Sequence, residues 1–272
     1  MHNMLNEIIA YKKLEIENSK TALPLDSLKI TPGDGSFRQS LQNQGLNIIA
    51  EIKPKSPSAG VLRSDFRLDE MLPVYNKYAR ALSVLTDFKF FAGSFDLLSE
   101  VSRKSGLPIL CKDFILDPYQ CYLARICGAQ AVLLIAKILS NKELTELYLQ
   151  IKELGMTAVL EIQNEIEFER INSLAVQAEI ILINNRNLED FTINLNTTKT
   201  LAPLIPEQTI VISASGIESK QDLEDLRPFC GNFLVGSLFM RSAHPEKEFQ
   251  NLIDIGPPSA SMAGAVIRTS GL

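Results

Sequence analysis

Short runs of mostly apolar residues recur along the chain, separated by longer stretches with helical spacing. They read NIIAEIK (47–53), ALSVLT (81–86), PILCKD (108–113), QAVLLIA (130–136), TAVLEI (157–162), EIILIN (179–184), TIVISA (209–214) and NFLVG (232–236). Their starts fall roughly 20 to 35 residues apart, enough for a strand, a loop, a helix and a return. Several runs are apolar at both odd and even positions, as parallel strands covered on both faces require. Repeated β/α units of this kind imply the α/β class, and eight of them imply a closed (β/α)8 or TIM barrel. An open doubly wound sheet normally shows a glycine-rich turn after its first strand, and none follows residue 53.

The intervening stretches carry helix signals. Leu144, Leu147, Tyr148 and Ile151 fall on one face, with Gly155 where that helix should end. Asp222, Leu223 and Leu226 predict a short helix after the seventh run. Ahead of the first run, Leu5, Ile8, Ile9 and Leu14 predict an amphipathic extra helix outside the barrel. The segment 256–272, GPPSASMAGAVIRTSGL, has no period and reads as a flexible tail. The expected organisation is one barrel domain over residues 1–255, N-terminal extension included, followed by the tail.

Composition narrows the function classes. A length of 272 residues suits one barrel, and 46% hydrophobic with 22% charged residues is an ordinary globular balance. The net charge of −5 weighs against a nucleic-acid partner, yet a few local lysines and arginines can still hold a small anion. No apolar run approaches the length of about 20 residues that crosses a bilayer. The start MHNMLNEIIAYKKLEIENSK mixes charge with apolar residues, unlike a signal peptide. A cytoplasmic protein with no membrane partner is expected. Cys111, Cys121, Cys127 and Cys230 form no C-x-x-C pair and have no histidine set beside them. They are expected to be reduced, buried thiols, with no metal. His2 and His244 lie outside the strand runs, which argues against histidine-based catalysis.

In such a barrel the active site lies at the C-terminal ends of the strands. Strand alternation places Glu51 and Lys53 on one face with Ile49, and Lys112 with Leu110. It likewise places Glu161 with Val159, and Asn184 with Leu182. Each of these faces runs from apolar below to polar at the top. An unpaired buried charge is costly, so two lysines and two glutamates converging on one rim predict acid–base chemistry. Their proximity is expected to shift lysine and carboxylate pKa values toward neutrality. SASG (213–216) and VGS (235–237) place small residues after the last two strands, the common phosphate position of the fold. Ser56 and Ser58 can add hydroxyl donors from the first loop.

The segments AEIKPKSPSAG (50–60), SVLTDFKFFAGS (83–94), LCKDFILDPYQ (110–120), INNRNL (183–188) and SGI (215–217) resemble the signature segments of indole-3-glycerol phosphate synthase, in the family's order. The resemblance runs over roughly residues 5 to 245. It implies a lyase of tryptophan biosynthesis that acts on 1-(2-carboxyphenylamino)-1-deoxyribulose 5-phosphate. This enzyme closes the pyrrole ring, releases CO2 and then water, and uses no cofactor or metal. Lys112 matches the general acid, Glu161 the carboxylate of the dehydration step, and Lys53 and Glu51 the partner pair on the first strand. Asn184 and Arg186 match residues that orient the substrate, and Phe91 and Phe114 match aromatics that pack its ring. Ser215, Gly216, Gly236 and Ser237 match the phosphate cradle. A monomer or weak homo-oligomer is expected.

Three positions depart from the family pattern. Ala214 stands where E-S-G-I has glutamate, Leu182 where G-I-N-N-R has glycine, and Tyr78 where a glycine is usual. The first two change neighbouring strands, so a divergent paralogue with an altered substrate and a non-catalytic phosphate-binding barrel are the alternatives. The neighbouring isomerase of the pathway should pair a cysteine base with an aspartate acid at the strand ends. Here Cys111 has the wrong parity, beside Lys112.

Overall fold

The computed structural model describes residues 4–25, 29–43 and 45–254. His2 and the segment 256–272 lie outside the described residues. Helices α1 (Met4–Ala22) and α2 (Ser36–Ser40) precede β1 (Asn47–Ile52), which leads into a small hairpin, β2 (Lys55–Ser56) and β3 (Gly60–Val61). Next come α3 (Leu68–Tyr78), β4 (Ala81–Leu85), α4 (Phe88–Phe91), α5 (Phe95–Lys104), β5 (Ile109–Lys112) and α6 (Pro118–Ile126). The chain continues through β6 (Ala131–Ile135), α7 (Asn141–Glu153), β7 (Thr157–Ile162), α8 (Glu165–Asn172), β8 (Ile180–Asn184) and α9 (Asn196–Leu201). It finishes with β9 (Ile210–Ala214), α10 (Lys220–Leu226), β10 (Asn232–Val235), α11 (Ser237–Arg241) and α12 (Pro245–Ile253). The barrel closes in the order β1-β10-β9-β8-β7-β6-β5-β4, and every pairing is parallel.

The apolar runs become strands because both faces are buried, each by a different core. Ile49, Leu110, Leu133, Val159, Leu182, Ile212 and Leu234 fill the barrel interior. Their chain neighbours Ile48, Ala50, Cys111, Val132, Leu134 and Ile181 pack under the surrounding helices. The period-two alternation is therefore directly visible. Local signals set the helix starts: capping boxes at Asp117 for α6 and at Ser140 for α7, and side-chain caps at Ser94, Asn164 and Ser219. Helix α7 buries the expected Leu144, Leu147, Tyr148 and Ile151, and Gly155 follows at φ 71°.

The N-terminal segment works at both ends of the barrel. Phe37 and Leu41 join the interior core near the strand starts, where Gly33 N–H donates to Leu154 just ahead of β7. Helix α1 crosses to the other end, where Lys12 meets Asp87 and Asp113 just past β4 and β5. Its buried face is Leu5, Ile8, Lys12 and Ile16. Leu14, expected on that face, is 66% exposed, because the face continues through residue 12 and a lysine holds the place of an apolar residue.

One further expectation needs adjusting. Cys111 and Cys121 are buried, but Cys127 and Cys230 are only partly covered; burial raises all four thiol pKa values, to about 11 for Cys127 and about 12 for Cys230. Tyr78 packs outside the barrel mouth, stacked on Phe249 and donating to Glu246 at 2.8 Å. Among the described residues, no helix is long and apolar enough to cross a membrane.

Candidate active site

A cleft opens at the C-terminal ends of the strands. Every site residue named from the sequence lines it: Glu51, Lys53, Ser56, Phe91, Lys112, Phe114, Glu161, Asn184, Arg186, Ser215, Gly216, Gly236 and Ser237. The closed topology brings them together. Each sits at or just beyond the end of a strand, and eight strand ends surround one mouth.

The four ionisable groups form two linked pairs. Lys53 Nζ lies 2.7 Å from Glu51 Oε1, and Lys112 Nζ lies 3.3 Å from Glu161 Oε2. Asn184 Nδ2 donates to the other oxygen of Glu161 at 2.9 Å, and its own Oδ1 accepts the Arg186 backbone N–H at 3.0 Å. Glu161 is thus held from two sides at 1% side-chain exposure, and Lys112 keeps 17% toward the cleft. The electrostatics run opposite to the sequence expectation. Burial works against the charge of Lys112, but Glu161 and Glu51 outweigh it and hold its pKa above the ordinary lysine value. Burial likewise works against Glu51, but Lys53 and Lys112 hold its carboxyl below the usual carboxylate range. Attraction between pairs favours both charged forms, so neither group moves toward neutrality. Burial lowers the pKa of Arg186, which spans the cleft edge to Ser58 Oγ at 3.3 Å and the Phe191 carbonyl at 3.2 Å.

One wall is aromatic. The Phe91 and Phe114 rings lie 6.1 Å apart at 41°, from the segments following β4 and β5. The opposite wall is built of small residues. Ser215 at φ 69° and Gly216 at φ 81° turn the chain sharply after β9. The left-handed conformation of Ser215 is strained for a residue with a side chain, and such strain gathers where backbone is shaped for a ligand. Asn185 supports the turn from behind, donating to Ser213 Oγ at 3.0 Å and to the Ser215 carbonyl at 3.1 Å. Gly236 is required for a different reason: a Cβ there would meet Glu51 Oε1 at 2.6 Å. Ser56 contributes less freely than expected, because its Oγ accepts the Ala59 N–H at 3.2 Å inside the hairpin turn.

The departures separate in space. Ala214 lines the cleft, paired in register with Asn184. Leu182 does not line it; two residues below Asn184, it is fully buried in the interior core. Its side chain therefore adds no bulk to the cleft. Cys111 faces the helices, 3.5 Å from Thr86 Oγ1, and is far from a position to act as a base. Sequence reasoning missed Arg241 and Glu218, which line the rim and pair at 2.6 Å. No motif marks them, and only the fold brings the residues after β9 and β10 together.

A family model described as indole-3-glycerol phosphate synthase matches residues 5–252. The chain is 42% identical over 255 residues to a tryptophan biosynthesis protein TrpCF of Vibrio cholerae, covering 93% of this chain and 54% of that protein. It is 40% identical over 255 residues to a protein of the same description from Helicobacter pylori, covering 93% and 55%. The chain spans about half the length of these curated relatives. Among solved structures, 3-hexulose-6-phosphate synthase from Salmonella typhimurium superposes with a TM-score of 0.60 at 13% identity, over 76% of this chain and 96% of that one. At that identity the likeness concerns the fold alone.

Proposed function

The chain belongs to the indole-3-glycerol phosphate synthase family, and from that premise we propose that it converts 1-(2-carboxyphenylamino)-1-deoxyribulose 5-phosphate to indole-3-glycerol phosphate, a cytoplasmic step of tryptophan biosynthesis. The observation that carries this reading is the Lys112–Glu161–Asn184 network set between an aromatic wall and a small-residue turn. A substrate with an aromatic ring at one end and a phosphate at the other fits that polarity.

In this reading the phosphate lies against Ser215, Gly216, Gly236 and Ser237, and the ring lies between Phe91 and Phe114. Holding both ends brings the aromatic carbon to the ketone, the positional demand of a poor nucleophile. As the carbon–carbon bond forms, the ketone oxygen gains an electron pair, and the Lys112 ammonium supplies its proton. The departing CO2 leaves its bonding pair in the ring and restores aromaticity. Glu161, within reach of the same centre, serves proton transfer as the new hydroxyl leaves as water. Glu51 and Lys53 complete the charge set on β1. The chemistry needs proton transfers and placement only, and these residues provide both. The test is product formation: indole fluorescence should rise when the purified chain receives this substrate. Phosphate-ligand binding without any fluorescence would leave only a binding role.

Ala214 bears on rate. A glutamate at this position would face Asn184 across the register, and an alanine can accept neither a proton nor a hydrogen bond. A ligand N–H left without that acceptor costs about 1–3 kcal/mol, or roughly 5- to 150-fold in rate. Ala214→Glu is expected to raise kcat/KM within that range. No gain over a parent that already turns over at ordinary enzymatic rates would show that the alanine is neutral. Since Leu182 lies below the cleft, the single substitution suffices.

A further inference from the structure

The catalytic reading leaves a buried lysine unused. Lys12 sits on the covered face of α1 at 2% exposure, its Nζ 2.9 Å from Asp87 Oδ2, 2.9 Å from Asp113 Oδ1 and 2.6 Å from Glu15 Oε2. Both aspartates are as deeply buried, at 0% and 1%. Burying an ammonium among carboxylates is a poor way to dock a helix, because apolar residues of similar size do so without desolvating ions. Helix α1 has such anchors already. Leu5, Ile8 and Ile16 are buried, the Tyr119 hydroxyl donates to the Ser19 and Leu23 carbonyls at 2.8 and 2.9 Å, and Lys20 pairs with Asp117 at 2.7 Å.

What distinguishes Lys12 is where its partners lead. Asp87 caps α4, accepting the Phe90 N–H at 2.8 Å, one residue before Phe91. Asp113 stands between Lys112 and Phe114. Its Oδ1 accepts the Phe114 N–H at 2.7 Å, and its Oδ2 accepts the Thr86 hydroxyl at 2.6 Å. Each aspartate therefore grips the backbone of one segment while both meet the same ammonium. Tyr11, the neighbour of Lys12, adds an edge contact to Phe90 at 5.9 Å.

We propose that Lys12 is a positioning residue of the active site: it locks the segment carrying Phe91 to the segment carrying Lys112 and Phe114, and so sets the gap that receives the aromatic end of the substrate. The inference rests on the assignment of Phe91 and Phe114 to the ring end. Lys12 touches no reacting atom, so its effect should fall on ring affinity, with the phosphate end unaffected.

The test compares Lys12→Met, Asp87→Asn and Lys20→Met in the full chain. Asparagine caps a helix about as well as aspartate, so Asp87→Asn removes the ion pair and keeps α4. Lys20→Met removes a charged anchor of the same helix away from the ring gap. Readouts are kcat and KM for the substrate, and binding of two separate probes, 2-aminobenzoate for the ring end and inorganic phosphate for the other. Lys12→Met and Asp87→Asn should raise KM and weaken 2-aminobenzoate by roughly 10-fold, the scale of one lost charge-assisted contact. Phosphate binding should stay within about 2-fold, and Lys20→Met should change neither probe. If Lys12→Met does not fold, Asp87→Asn answers alone. Unchanged 2-aminobenzoate binding in a folded variant overturns the proposal, and so does an equal loss in Lys20→Met, which would reduce Lys12 to a helix anchor. A parent that binds phosphate but not 2-aminobenzoate overturns the ring-end assignment itself.

Discussion

Replacing Lys112 with alanine is expected to lower kcat by about 100-fold or more, the scale of losing a positioned acid together with its charge. In the proposed mechanism the ammonium donates the proton to the ketone oxygen, and no other lysine approaches Glu161 as closely among the described ion pairs. Lys53 is engaged 2.7 Å from Glu51 and belongs to the neighbouring pair. Phosphate affinity should change little, because the proposed cradle lies after β9 and β10, away from β5. Stability should also fall, since Glu161 at 1% exposure loses its counter-charge; breaking a buried pair costs about 3–5 kcal/mol. Steady-state kinetics at a temperature where the variant is folded separates the two effects. A folded Lys112→Ala enzyme that keeps most of its kcat removes this residue from the acid's role.

Glu161→Gln carries the second large expectation. Glutamine keeps the shape and can still accept the Asn184 amide, now 2.9 Å away, but it cannot take or return a proton. A fall of about 100-fold or more in kcat is expected. The substitution also has a pH signature. In the parent, the pKa of Lys112 is raised, so its ammonium persists below that raised value and is lost only as pH climbs through it. The pKa of Glu51 is lowered, so its carboxylate persists above that value and is lost as pH falls through it. Neither group should bend the kcat/KM profile of the parent near neutrality. Burial opposes the charge of Lys112, and Glu161 is the foremost attraction that offsets it. Without that carboxylate the alkaline limb should move to lower pH. A limb that stays in place in Glu161→Gln belongs to some other group.

Much of this site is readable from the chain because one topological fact does most of the work. Once eight apolar runs are recognised, closure brings every strand end to one mouth, and parity selects Glu51, Lys53, Lys112 and Glu161 as inward-facing. The sharp turn after β9 is legible for a related reason, since small residues recur after the last two strands. Other features depend on distances that no pattern encodes. Lys12 occupies a core position on α1 that its charge assigns to solvent, because its compensation comes from aspartates beyond β4 and β5. The same blindness put Leu14 on the wrong face. The direction of the pKa shifts was also hidden. Crowding alone predicts movement toward neutrality, but Lys112 meets Glu161 and Glu51 meets Lys53, and this pairing decides the sign for Lys112 and Glu51.

The reaction proposed for this cleft is ring closure with loss of the carboxylate. The most direct measurement supplies the purified chain with substrate labelled with 13C at the carboxyl group and follows labelled CO2 and indole fluorescence together. One labelled CO2 is expected for each indole formed, at a rate that inorganic phosphate slows by competition and that Lys112→Ala nearly abolishes. Substrate that binds, is displaced by phosphate, and keeps its label indefinitely would contradict it.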